Sequence, residues 1–178
     1  IAGVNIDTGE VVLTDRLREK GKDIDLILGH HPRGKGLTKL HEVMHLQKDA
    51  LIEWGVPVTI ADALMDERIK EVERKVRGSN YNQSLDSAKL LDIPMMCVHT
   101  PADNLVEQFL TDKIEENDFE KVSDVVDMLN DIPEYHEARK HGDGPTVLVG
   151  SKDNRAGKVV VEMTGGTEGS KDSYEKLA

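Results

Sequence analysis

Asp25-Leu26-Ile27-Leu28-Gly29-His30-His31-Pro32 runs from an apolar segment straight into two adjacent imidazoles, and the reading of the whole chain turns on it. A short apolar run closed by Gly and Pro is the pattern of a strand buried on both faces. Successive residues of a strand point to opposite faces, so His30 and His31 can reach one ligand only where the strand ends. Pro32 biases His31 toward an extended backbone and Gly29 offers freedom for a turn, so the chain is expected to leave the sheet here. Open α/β sheets place their ligands at this end of their strands. Imidazole is both a common metal ligand and a general base, so the pair points to metal binding or proton transfer. An arbitrary His-His pair would read as two solvated loop histidines; the strand end and a second cluster downstream argue against that here.

The second cluster repeats the arrangement, with the apolar run Ile93-Pro94-Met95-Met96-Cys97-Val98 leading into His99-Thr100-Pro101-Ala102-Asp103-Asn104. Thr100 suits an N-cap, Pro101 the first helical position and Asp103 the first turn, which predicts a helix over 101–110. Asp103 then has two readings, both open: it can close a capping-box-like pair with Thr100, or it can bind metal. An oxygen ligand beside His30 and His31 suits zinc, manganese or iron.

Together these two segments resemble the NIF-three-like proteins, many of which carry the label GTP cyclohydrolase I type 2. The resemblance covers roughly the first 110 residues, and joint occurrence of both motifs is more specific than either alone. It implies an α/β fold, a layered mixed sheet flanked by helices. It also implies two divalent metal ions per subunit, held in part by His30, His31 and Asp103, with His99 beside the site as a proton shuttle or ligand-orienting residue. The implied activity is metal-dependent hydrolysis of a nucleotide or other phosphorylated small molecule, in a ring-shaped homo-oligomer, commonly a hexamer. Nothing in the sequence encodes guanine recognition. A non-catalytic metal-binding regulatory or interaction protein is the alternative from another class.

The chain departs from the family pattern twice. The separation between His31 and His99 is longer than in typical members, so a helical insertion at about 59–91 is expected, forming one or two helices over the site. The family completes its site with a C-terminal His followed one helical turn later by Glu, whereas this chain has no histidine after His141, and His136 is followed four residues on by Lys140. The chain opens at Ile1 without methionine and stops at Ala178, so the expectation is truncation at both ends, with a further His and Glu pair beyond Ala178.

Composition narrows the classes. The 178 residues suffice for one good-sized core or parts of two lobes. A formal charge of -11 and a pI near 5.1, with 3% aromatic residues and no basic stripe, argue against a dedicated nucleic-acid binder. No apolar run is long enough to span a bilayer, and a cytoplasmic protein is the default. The single Cys97 excludes an internal disulfide and reads as a small core thiol.

Along the chain, strands are predicted at 2–6, 24–28 and 95–99, and a helix, or a turn leading into one, at 11–20. The best helical pattern is 37–54, with Leu40, Val43, Met44, Ala50, Leu51 and Trp54 on one stripe and Gly55 just past its end. Helices are expected again at 119–129 and 134–140. Strands at 146–149 and 158–163 would be joined by the turn-rich segment 151–157. The division that follows is a first lobe over 1–140 carrying both motifs, and the start of a second, strand-containing lobe over 141–178.

Three further motifs compete for attention. His41-Glu42-Val43-Met44-His45 is a literal H-E-x-x-H, the signature of zinc metallopeptidases, in which two histidines on one helix face bind zinc and the glutamate acts as base. No third ligand follows at the expected spacing, and both histidines project away from the apolar stripe; His45 could still line the metal cleft. Arg33-Gly34-Lys35-Gly36 follows the first histidine pair and could cradle a phosphate, although a flexible turn accounts for it as well. Thr164-Gly165-Gly166-Thr167-Glu168-Gly169-Ser170 lacks the ending of a phosphate-binding loop and reads as a strand-to-helix turn.

Overall fold

The computed structural model describes residues 1–163 and 170–177, so the glycine-rich turn at 164–169 lies outside the described residues. The chain divides into two compact units, one comprising Ile1–Val106 with Met163–Ala178 and the other Glu107–Glu162. No described helix is long and apolar enough to cross a membrane.

The first unit opens with β1 (Ala2–Gly3) and α1 (Thr8–Glu19). This helix starts three residues before the expected boundary because Asp7 and Glu10 form a capping box, in which the Asp7 amide donates to Glu10 Oε2 at 2.8 Å. That bond holds the Glu10 carboxyl below the usual carboxylate range. β2 (Ile27–Gly29) follows, and the predicted long helix is broken into α2 (Lys35–Thr38), α3 (Leu40–Val43) and α4 (His45–Glu53). At the first break the Thr38 hydroxyl donates to the Lys35 carbonyl at 3.1 Å, which competes with the helical ladder. Residues 59–91 lie in α5 (Val58–Arg77) and α6 (Gln83–Leu90), and β3 (Met95–Cys97) leads into α7 (Thr100–Glu115).

The sheet has the order β1-β2-β3 with every pair parallel. Register places Ala2 opposite Leu28 and Gly3 opposite Gly29, while Ile27, Leu28 and Gly29 face Met95, Met96 and Cys97. Gly29 is not in the left-handed region, so its role is not the expected turn. A Cβ there would meet Cys97 Sγ and Ile6 Cγ1 at 3.2 Å, so what glycine supplies is room. Beneath the sheet, Ile6, Val11, Ile27, Ala88 and Ile93 form one core, with α6 packed on α1.

A second core is organised by α5. Ala61, Met65, Ile69, Val72 and Val76 recur every three to four residues and are buried against Met44, Leu51 and Val56. The helix packs on α2, α3 and α4, and also on α10 (Lys171–Leu177). Gly34, at φ 63°, meets the segment between α5 and α6, where its amide donates to the Tyr81 carbonyl at 2.7 Å.

In the second unit, α8 (Val122–Asn130) and α9 (Pro133–Lys140) pack together. The strands expected at 146–149 and 158–163 do not form, and the described sheet is parallel throughout where a mixed sheet was expected. The intervening turn-rich segment instead supplies the carbonyls of Lys152 and Asn154 to the Ser123 and Val122 amides at 2.9 and 3.0 Å. These are the first amides of α8, which lack partners within their own helix, so the segment caps a helix and does not close a hairpin. Asp124 adds a side-chain cap, accepting from the Lys121 amide at 2.9 Å, and its carboxyl is held low by that bond.

Because Met65 is fully buried at the centre of the α5 core, Met65→Ala should cost about 2–5 kcal/mol in urea unfolding. Lys70→Ala on the exposed face of the same helix should stay within about 0.5 kcal/mol. Equal losses for the two would contradict this assignment of the core.

Candidate metal centre

The site is built where β2 and β3 end. Past the end of β2 the His30 and His31 amides donate to the Gly3 and Val4 carbonyls at 3.0 and 2.9 Å. On the other side the Val98 amide donates to the Gly29 carbonyl at 2.8 Å, which carries His99 to the same edge. The imidazoles of His30, His31 and His99 therefore gather, with ring centroids 4.3 Å apart for His30 and His99, 5.1 Å for His30 and His31, and 5.7 Å for His31 and His99. One ligand atom from each lies within 4.8 Å of the others.

Asp103 lies beside this group. The Asp103 amide donates to the His99 carbonyl at 3.1 Å, so the helix begins one residue earlier than expected and Thr100 is its first helical residue. That shift takes Asp103 out of the capping-box position. Its side chain, 10% exposed, instead faces the histidines, with Oδ1 at 3.4 Å from His30 Nε2 and Oδ2 at 2.8 Å from His99 Nδ1. A nearly buried carboxylate needs compensation, and here only imidazoles flank it in these contacts.

Burial pushes the His99 imidazole below its ordinary value; the Asp103 carboxylate opposes this, while the neighbouring His30 and His31 push the same way as burial. His99 Nδ1 is buried and, despite its short approach to Asp103, has no well-aligned hydrogen bond among the described residues. Three imidazoles gathered this closely beside a nearly buried carboxylate are an arrangement that a shared cation satisfies. Three imidazoles and a carboxylate are a suitable donor set for zinc, manganese or iron, so the His30, His31 and His99 group could hold a metal ion.

The remaining candidates are not brought to the site. The H-E-x-x-H segment is interrupted at Met44, between α3 and α4, so His41 and His45 do not share one continuous helix. Among the described residues neither belongs to a cluster of three or more potential ligands, which removes the peptidase geometry. Groups that could have cradled a phosphate after Pro32 are engaged elsewhere: Arg33 Nε donates to the Ile6 carbonyl at 3.1 Å, its terminal nitrogen to Asp7 at 2.5 Å, and the Gly34 amide to the Tyr81 carbonyl. Cys97 is a free, half-buried thiol within β3. Sequence reasoning missed Asn5, whose Oδ1 lies 2.7 Å from His31 Nδ1; the available signal was one amide side chain in an otherwise apolar opening segment.

These observations define an α/β protein whose parallel strands deliver three histidines and an aspartate to one sheet edge. No family model and no curated protein matches the chain. A crystal structure of a NIF3 superfamily protein from Sphaerobacter thermophilus does match, with a TM-score of 0.87 and 26% identity over 99% of this chain. The chain is NIF3-like, in agreement with the resemblance carried by its two motifs, and spans 63% of the length of that solved relative.

The lowered His99 value has a consequence for stability. Below its ordinary value, about 6.5, the unfolded chain takes up a proton that folded His99 resists, so stability rises with pH through this range. The thermal midpoint of metal-free protein should therefore fall between about pH 7.5 and about pH 5.5, and fall less in His99→Gln. Equal losses in both proteins would assign the dependence to other groups.

Proposed function

We propose that this chain is the histidine-bearing part of a dinuclear-metal hydrolase acting on a nucleotide or other phosphorylated small molecule. The observation that carries the reading is the convergence of His30, His31 and His99 with the nearly buried Asp103 at one sheet edge. His30, His31 and Asp103 would hold the ions. His99, with Nδ1 beside the carboxylate, would orient it or move a proton at that nitrogen. Two divalent ions, when bound, supply a water that ionises near neutral pH and positive charge to offset the negative charge developing at the attacked carbon or phosphorus. The half-buried setting of His30 and His99 limits water around the reacting group and strengthens these electrostatic effects.

The NIF3-like fold supports the reading, and the GTP cyclohydrolase I type 2 label attached to that family makes GTP the first substrate to test. Two ions per subunit, a homohexamer and a cytoplasmic setting belong to the same proposal. A second reading, a metal-binding regulatory or interaction protein without turnover, draws support from the Arg33 guanidinium and Gly34 amide, which are engaged in structural bonds.

A panel of nucleoside triphosphates and phosphoesters, assayed with added zinc or manganese, separates the two. The hydrolase reading predicts metal-dependent turnover that falls by at least about a hundredfold in His31→Ala. Metal-induced thermal stabilisation without turnover of any panel member would contradict it and favour the binding protein.

A further inference from the structure

We infer that Asn5 is a positioning residue that selects the tautomer of His31 and thereby decides which of its nitrogens faces the metal cluster. The inference rests on the metal-binding reading of the site and adds a residue to it. A neutral imidazole has one donor and one acceptor nitrogen, and the acceptor is the one that can ligate a cation. Asn5 Oδ1, a carbonyl oxygen, lies 2.7 Å from His31 Nδ1, so Nδ1 must carry the hydrogen to donate to it. Nε2 is then left with its lone pair and is the nitrogen that His31 can offer to a cation shared with His30 and His99, whose ligand atoms lie within 4.8 Å of one of its own.

His31 needs such a partner more than its neighbours do. His30 and His99 are half-buried and each approaches Asp103, whereas His31 is exposed and its described side-chain hydrogen bond is the one to Asn5. An exposed ring has two tautomers and free rotation about its side-chain bonds; a histidine in water favours the opposite tautomer, with hydrogen on Nε2. The chain on either side of Asn5 is anchored. The Gly3 and Val4 carbonyls on one side accept from the His30 and His31 amides, and Ile6 and Asp7 on the other accept from Arg33. Residues 3–7 thus form a template bonded to residues 30–33 on both sides of Asn5, which holds its backbone beside the His31 ring.

The decisive measurement is nitrogen-15 imidazole NMR on metal-free protein, paired with calorimetric zinc titration. Wild-type His31 should be mainly the Nδ1–H tautomer, Asn5→Leu should move it toward Nε2–H, and Asn5→Asp, which keeps an acceptor, should retain the wild-type form. Zinc affinity should fall about 10- to 100-fold in Asn5→Leu and be largely retained in Asn5→Asp. A wild-type His31 found mainly as Nε2–H overturns the inference, as does an Asn5→Leu affinity within about twofold of wild type. Should Asn5→Leu fail to fold, the wild-type and Asn5→Asp spectra decide alone. Wild-type protein that binds no zinc overturns the functional reading instead, while the tautomer spectrum still decides the part played by Asn5.

Discussion

The row Gly3, Gly29 and Cys97 across the parallel sheet is the contact on which the rest of the site depends. With no side chain at the first two positions, Ile6 reaches into the core over the strand ends, and Cys97 Sγ sits against the middle strand. A larger residue at Gly29 would have to displace one of them. Because this row is in register, the residues that follow β2 and β3 leave the sheet side by side. Three imidazoles and one carboxylate then meet without any long loop having to be held in place.

That register also explains how the site tolerates the long separation between its two motifs. Parallel strands must be joined by a crossover, and α2 to α6 are that crossover. The entropy of closing a connection grows only slowly with its length. Here the connection is also anchored by its own core, where the apolar stripe of α5 is buried under α3, α4 and α10. The segment expected as a helical insertion over the site therefore supplies, through α5, a second hydrophobic core within the crossover, and Gly34 and Tyr81 tie it to the loop after the histidines.

Much of this was legible in the sequence, for identifiable reasons. The apolar runs before His30 and His99 announced strands because both are short and closed by residues that end strands, and the helical pattern of 59–91 announced helices there. Boundaries were less visible. The start of α1 was hidden in the spacing of Asp7 and Glu10, and the start of α7 lay one residue off because Thr100 and Pro101 suit two adjacent cap registers. That one residue decided whether Asp103 caps a helix or faces the histidines. The long helix at 37–54 failed because a stripe of apolar residues cannot report a break such as the one at Thr38. The 151–157 turn was rightly read as a turn, but a turn's composition cannot say whether it joins two strands or caps α8. Asn5 was invisible for a different reason: its partner is 26 residues away and no motif joins them.

The central claim is that the sheet edge holds metal. Plasma mass spectrometry on the purified protein and on a His30→Ala, His31→Ala double variant, both shown to be folded, tests it most directly. The account predicts bound transition metal approaching about two ions per chain in the wild type and its loss in the variant. Negligible metal in both proteins, or the same content in both, would contradict it.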